Sequence, residues 1–516
     1  MGRRPVSAPG SVVGSLLAPI FVCLALTACA TTRPPRPPGA IETTRDLGPS
    51  PHPLAAALDA LLDTPEANAA LWGIFVRSLD SGDEVYDHQG DQLMLPASTM
   101  KLVTLAVAAE RLGWDYRYET EILASAPVVD GVLQGDLIVR GNGDPSINTG
   151  REPGTPVFDR WAASLREHGI NAIAGRIIGD DDLVEEASPG YGWAWDDLVY
   201  GYAAPTGALL HRDNIVRVTV HSASVAGDDT VVEVSPPYSG LRVVNHAHTD
   251  MQYAEAELTL HRGLDGTVEI RGGIPASSSP VSRHAAVANP TIFFARGLKR
   301  SLEAAGIQVS GDAVDVDDIR GRLIDGPLRP LARHDSPPLS ALATTLMQSS
   351  HNLYAETLLS TLDQNRRPRT ADAGRAAVRG VLEGWGIGPS DVIVADGSGL
   401  SRYNYVTARA LVDVLGRMHA DPRHASAFPD TLPVAGTSGT LATRLVGTAS
   451  EGNVRAKTGS MAHVRALSGY VTADDGEQLA FAVLANNFPD SADPILAVID
   501  RLVDRLARST PSERGR

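Results

Sequence analysis

The sequence predicts an α/β protein whose main body is discontinuous, assembled from both ends of the folded chain around a large β-rich insertion. Three observations predict it. Helical spacing and strand-like runs occur from about residue 54 to 122 and again from about 336 to 510. Between them, short alternating segments separated by Gly, Asp and Pro turns dominate. At 516 residues, finally, the chain is too long for one hydrophobic core.

The first element is a targeting segment over residues 1–28. Arg3 and Arg4 precede an apolar run from about Val12 to Leu26, too short for a usual membrane span. The run ends in Leu26-Thr27-Ala28-Cys29, which resembles a bacterial lipobox. The resemblance implies cleavage before Cys29 and a lipid on its sulfur, anchoring the protein to a membrane; an ordinary signal peptide or an uncleaved anchor are the alternatives. Ala30 is compatible with outer-membrane sorting in a two-membrane bacterium. The other cysteine, Cys23, lies inside the signal, so the mature chain has no thiol pair for a disulfide and no cysteine metal site. Residues 29–53 are rich in proline, with Arg33-Pro34-Pro35-Arg36-Pro37-Pro38, and read as an extended tether.

The folded body begins with helical spacing over Leu54 to Leu62. Strands are expected at Leu71 to Val76 and around Val85-Tyr86, across a Ser81-Gly82-Asp83 turn. An apolar-rich helix follows from about Thr99 to Leu112, stopped by Gly113. The insertion spans 123–215 and 290–335, with strands such as Leu133 to Val139 and helices at Val157 to His168 and Thr291 to Ala305. Residues 216–289 are the most purely β-like and read as a nested unit. The body resumes with helices at Leu339 to Met347, Leu353 to Leu362, Ala371 to Trp385 and Ala408 to Met418. Strands at Val464 to Val471 and Leu479 to Ala485 precede a closing amphipathic helix, Ile495 to Leu506.

The formal charge of −16 argues against a nucleic-acid partner, whose phosphates require a basic face. Of 45 basic residues only Lys101, Lys299 and Lys457 are lysines. An arginine-favouring genome explains most of this. A retained lysine can still mark a site where guanidinium fails, because only an ammonium loses its proton at accessible pH. Lys299 lies on an amphipathic helix and is assigned to solvent.

The other two lysines lie in motifs. Ser98-Thr99-Met100-Lys101 puts hydroxyl and amine three residues apart at a helix start, on one face. A neutral lysine there could take the serine proton, if burial or neighbours depress its pKa. Lys457-Thr458-Gly459-Ser460, just before the Val464 strand, could bind a carboxylate if cation, hydroxyl and glycine lie on a strand edge, the glycine letting a substrate backbone approach; a polar turn before the strand is the alternative. A third element of type Ser-x-Asn has two candidates, Ser146-Ile147-Asn148 and Ser350-His351-Asn352; the second, at a helix boundary in the body, is preferred. His351 invites a Ser-His-Asp reading, but the middle residue of so short a loop should point away from its neighbours.

These motifs, in this order, resemble the penicillin-recognising serine enzymes. The gap of about 250 residues between the first two matches peptidase family S13, the DacB-type D-alanyl-D-alanine carboxypeptidases or class C low-molecular-mass penicillin-binding proteins. Gly141-Asn142-Gly143-Asp144-Pro145, Trp193-Ala194-Trp195-Asp196-Asp197, Ala395-Asp396-Gly397-Ser398-Gly399-Leu400-Ser401 and Leu432-Pro433-Val434-Ala435-Gly436 also look like that family. His351 and Ser460 depart mildly from its pattern.

The resemblance implies a β-lactamase/transpeptidase-like domain, an antiparallel sheet flanked by helices, working on peptidoglycan peptides as a carboxypeptidase, a DD-endopeptidase that cuts cross-links, or both, without cofactor or metal. Ser98 would attack the carbonyl between two D-alanines, with Lys101 as base. Ser350 would relay the proton to the leaving amine, supported by Asn352. Lys457 and Thr458 would hold the terminal carboxylate, and the N–H groups of Ser98 and Ser460 would form the oxyanion hole. β-Lactams would be trapped as a slow ester. A side-chain pocket for the substrate's diamino acid would include Asp197, Tyr202, Arg402 and Met461, with Asp196 an equally good acid by spacing and Trp195 possible core. Rival readings are a β-lactamase or Ser–Lys esterase of the same superfamily, or a non-catalytic wall-binding lipoprotein.

Overall fold

The strand Gln478–Asn486 shows how the body is held together. Leu479, Phe481, Val483 and Ala485 enter one apolar cluster, and Ala480, Ala482 and Leu484 enter another on the opposite face. Period-two alternation with both faces apolar describes a central strand covered on both sides. In the computed structural model this strand lies at the centre of a five-stranded antiparallel sheet, in the order Glu84–His88, Leu71–Ser78, Gln478–Asn486, Val464–Thr472, Arg455–Met461. Two strands come from the start of the folded chain and three from its end, joined by pairing from Leu71 with Asn486 to Ser78 with Leu479. The structure describes residues 52–147, 156–185, 189–251, 255–319, 327–365, 367–489 and 491–515. The signal, Cys29, most of the tether and Asn148 lie outside the described residues.

One face of the sheet is covered by the terminal helices Pro53–Leu62 and Asp493–Ala507. The other carries Met100–Leu112, Leu339–Gln348, Asn352–Thr361, Ala371–Gly384 and Ala408–Ala420. The helix Met100–Leu112 is apolar nearly all round, and its residues 100–109 are buried. A helix with no polar face belongs inside a core, so this one is a fixed platform. Its side chains pack under the sheet while its N-terminus opens at the sheet edge.

The intervening chain builds a second five-stranded sheet, in the order Ala313–Asp315, Ile177–Asp180, Leu137–Gly141, Glu119–Ala124, Arg329–Asp335. The helices Pro156–Glu167 and Pro290–Ala304 cover it. Residues 215–286 form two three-stranded sheets around their own buried cluster. The expected strand Leu133 to Val139 is broken into Val132–Leu133 and Leu137–Gly141, which enter different sheets. At the break the Asp136 carboxylate accepts from the backbone N–H of Arg176 at 2.7 Å and pairs with that guanidinium. The strand Val243–Asp250 went unread, because Asn245, His246 and His248 interrupt its apolar alternation. No helix among the described residues is long and apolar enough to cross a membrane.

Lys299 is not the solvated lysine its helix position suggested. Its ammonium donates to the carbonyl of Gly311 at 2.7 Å, and the side chain is only 21% exposed.

Candidate active site

Ser98 lies in a single 3₁₀ turn, Ala97–Thr99, that runs directly into the helix Met100–Leu112. The turn is forced into shape by its neighbours. Ala97 has φ 45°, a left-handed conformation that costs a non-glycine residue about 1 kcal/mol or more. Gly399 packs against it so closely that a Cβ there would stand 1.8 Å from the Ala97 carbonyl oxygen.

Lys101 is completely buried one turn further on. Its Nζ lies 2.8 Å from Ser98 Oγ, 2.7 Å from Asn352 Oδ1 and 2.6 Å from the Ser398 carbonyl oxygen. The Asn352 amide is oriented by its other end, because Nδ2 donates to the Tyr202 carbonyl at 2.8 Å. Two of the three partners of Lys101 can therefore only accept. A neutral amine gives them its two N–H bonds and turns its lone pair to Ser98, the one partner able to donate a proton. Burial lowers the lysine pKa while Asp396 and Glu356 pull it back up, leaving it at about 7.

The Asn352–Thr361 helix begins at the preferred Ser-x-Asn element. Ser350 sits at φ 57° and accepts from Lys457 Nζ at 2.8 Å. Lys457 is also fully buried and donates to the Thr458 carbonyl. Burial and the charge of Lys101 hold its pKa well below the ordinary lysine value. His351 faces away, with Nε2 3.4 Å from Asp213 in a neighbouring cavity, so no Ser-His-Asp triad forms. In the other candidate, Ser146 turns its hydroxyl to Asp144 instead.

Lys457 to Ser460 lie on Arg455–Met461, the edge strand of the sheet, which puts them on a strand edge as expected. Gly459 is also required by the protein's own packing. A Cβ there would stand 2.7 Å from the Pro96 carbonyl oxygen and 3.3 Å from Ala97 Cβ. The glycine admits the turn that carries Ser98. Thr458 Oγ1 donates to Thr440 Oγ1 at 2.8 Å.

Ser98, Ser350, Asn352 and Ser460 open onto one cleft of about 410 Å³, lined also by Asp197, Tyr202, Gly399, Leu400, Arg402, Met461 and Ala462, while Lys101 and Lys457 lie buried. The structure thus brings Asp197, Tyr202, Arg402 and Met461 into the same cleft as Ser98, and Asp196 does not line it. Tyr202 donates its hydroxyl to Asp197 at 2.8 Å, and burial together with that carboxylate raises its pKa. Trp195 is half exposed rather than core.

Sequence reasoning missed the support beneath Lys101. Asp396, buried, accepts from the N–H groups of Gly399 and Ser401, from Asn404 Nδ2 and from Trp193 Nε1. Glu356 accepts from the N–H groups of Gly397 and Ser398. The available signal was spacing: Glu356 lies four residues after Asn352 and shares its helix face.

Residues 54–508 match the model of the D-Ala-D-Ala carboxypeptidase 3 (S13) family. A D-alanyl-D-alanine carboxypeptidase of Actinomadura sp. (strain R39) is 35% identical over 464 residues, 87% of this chain and 84% of that protein. The D-alanyl-D-alanine carboxypeptidase DacB of Haemophilus influenzae is 28% identical over 426 residues, 81% of this chain and 85% of that protein. A crystal structure of penicillin binding protein 4 (dacB) from H. influenzae superposes with a TM-score of 0.77 at 27% identity, covering 88% of this chain and 99% of that one. A second structure of that protein, complexed with a β-lactam, gives 0.72 at 25% identity over the same shares. With the family model matching nearly the whole folded chain and the fold shared with a solved relative, this protein belongs to the D-Ala-D-Ala carboxypeptidase 3 (S13) family.

Proposed function

We propose that this protein is a serine-type D-Ala-D-Ala carboxypeptidase that acts on peptidoglycan stem peptides and is acylated by β-lactams at Ser98. One observation carries the reading: a buried amine with a pKa of about 7 lies 2.8 Å from the Ser98 hydroxyl, its other two contacts being acceptors. Lys101 takes the proton as Ser98 Oγ attacks the carbonyl between the two D-alanines. The N–H groups of Ser98 and Ser460 receive the oxyanion. Ser350, polarised by Lys457, delivers a proton to the departing amine. Lys457 and Thr458 hold the carboxylate of the leaving D-alanine. Asp197 and Arg402, of opposite charge in the same cleft, suit a zwitterionic diamino-acid end. Water then hydrolyses the ester, and a β-lactam leaves a slow one. The supporting relatives carry the same activity in their names.

Digestion of purified peptidoglycan with mass analysis tests this. Released D-alanine supports it; none, with rapid turnover of a chromogenic β-lactam, replaces it with a β-lactamase. Hydrolysis of simple esters alone would indicate the esterase.

The proposal extends to organisation and address. The catalytic domain comprises 54–122 and 336–510, the inserted domain 123–215 and 290–335, and the nested domain 216–289. Cys29 carries a lipid that anchors the enzyme on the periplasmic side of a membrane. Cys29→Ser should move the protein from the membrane to the soluble fraction of its host.

A further inference from the structure

Lys101 can serve as a base only while neutral, and its surroundings decide when that is. From its own segment it faces Ser98; from the helix Asn352–Thr361, Asn352 and Glu356; from the 395–399 loop, Asp396 and the Ser398 carbonyl; from the edge strand, Lys457. Glu356 acts on Lys101 both through its charge and by holding the Ser398 backbone whose carbonyl Lys101 meets. Its Oε1 accepts from Ser398 N–H at 2.7 Å and Oε2 from Gly397 N–H at 3.1 Å. That grip aims the Ser398 carbonyl at Lys101, 2.6 Å away. Glu356 is itself buried, yet it also lines a second cavity of about 310 Å³. This cavity shares no lining residue with the cleft and is bordered by Glu185, Arg369, Asp372 and Arg375. The carboxyl therefore touches the base's support on one side and a space open to solvent on the other.

We propose that Glu356 is a positioning residue for the base: it fixes the Ser398 carbonyl against Lys101, and its charge sets the pH at which Lys101 becomes free to take the Ser98 proton. The proposal rests on the reading of Ser98 and Lys101 as nucleophile and base. Burial and the neighbouring Asp396 raise the Glu356 pKa to about 7, so its charge appears in the range where Lys101 discharges. A negative charge nearby favours the ammonium. Removing it must lower the lysine pKa, enlarge the neutral fraction at a given pH, and move the acid limb of acylation to lower pH.

The test is the pH profile of acylation of the full-length protein by a fluorescent penicillin. In Glu356→Gln the acid limb should move down by about one pH unit. The plateau should also fall several-fold, because a glutamine amide sets a donor against one of the two N–H groups. Glu356→Asp keeps the charge but shortens the grip; its limb should stay near that of the parent while its plateau falls. An unmoved limb in Glu356→Gln overturns the proposal, whatever the plateau does. If Glu356→Gln does not fold, the aspartate variant decides alone, and an unaltered plateau overturns the proposal. Failure of the underlying reading looks different, since the parent protein itself would then take up no penicillin at Ser98.

Discussion

At the scale of single residues, the site is a matter of which amine is neutral. Lys101 at about pH 7 is half discharged, so acylation by penicillin should rise with pH through the neutral range and reach a plateau above about 8. The sign follows from desolvation, the largest influence on this group: burial disfavours the ammonium. Lys101→Arg keeps a positive charge that cannot be lost, and should lower the labelling rate by about 100- to 10 000-fold. Normal labelling in that variant would remove Lys101 as the base. Asp197→Asn should raise KM for stem peptides bearing a diamino acid by about tenfold, measured as D-alanine release; an unchanged KM would exclude an ammonium contact there. The motif serines and lysines were legible because hydroxyl and amine at three-residue spacing have a chemical meaning on a helix. Glu356 and Asp396 were not. Each is an acid among many in an acidic chain, and only the folding of residues 395–401 over the helix Asn352–Thr361 buries both.

At the scale of elements, the cleft depends on close backbone approach. The Ser98 turn is pressed between the edge strand at Gly459 and the loop at Gly399. Gly399 also holds φ 85°, so Gly399→Ala meets both a clash with Ala97 and a strained backbone. It should cost about 3 kcal/mol or more, read from thermal unfolding, and reduce penicillin labelling. Trp193 links the segment before Asp197 to the catalytic loop through Asp396. Trp193→Phe removes one of four donors from a buried carboxylate and should cost about 1–3 kcal/mol, again by unfolding. Helix positions were readable to within a residue or two, as at Pro156–Glu167 and Asp493–Ala507, because their apolar periodicity is strong. Short strands were less so. The break at Asp136 and the polar strand Val243–Asp250 are decided by partners far away in sequence, which local pattern does not contain.

At the scale of the molecule, the sheet order joins the first strands to the last. Pairing of Leu71–Ser78 with Gln478–Asn486 ties the beginning of the body to its end. The discontinuity was legible as a change of texture at each border. The register that closes the sheet was not, since it pairs residues about 400 positions apart. A chain ending at residue 477 should keep soluble β structure from the middle of the protein yet bind no penicillin; labelling of such a fragment would mean that the centre forms without its middle strand. The same topology makes competence a late event in the life of each chain. Ser98 is synthesised early, but Lys457, which polarises Ser350, follows it by about 360 residues, or roughly 20–70 s at ordinary rates of elongation. Throughout that interval Ser98 is present without its edge strand or the second lysine. A hydrolase of the cell wall built in this order is inert while it is being made, and acquires its reactivity only when the last strand arrives.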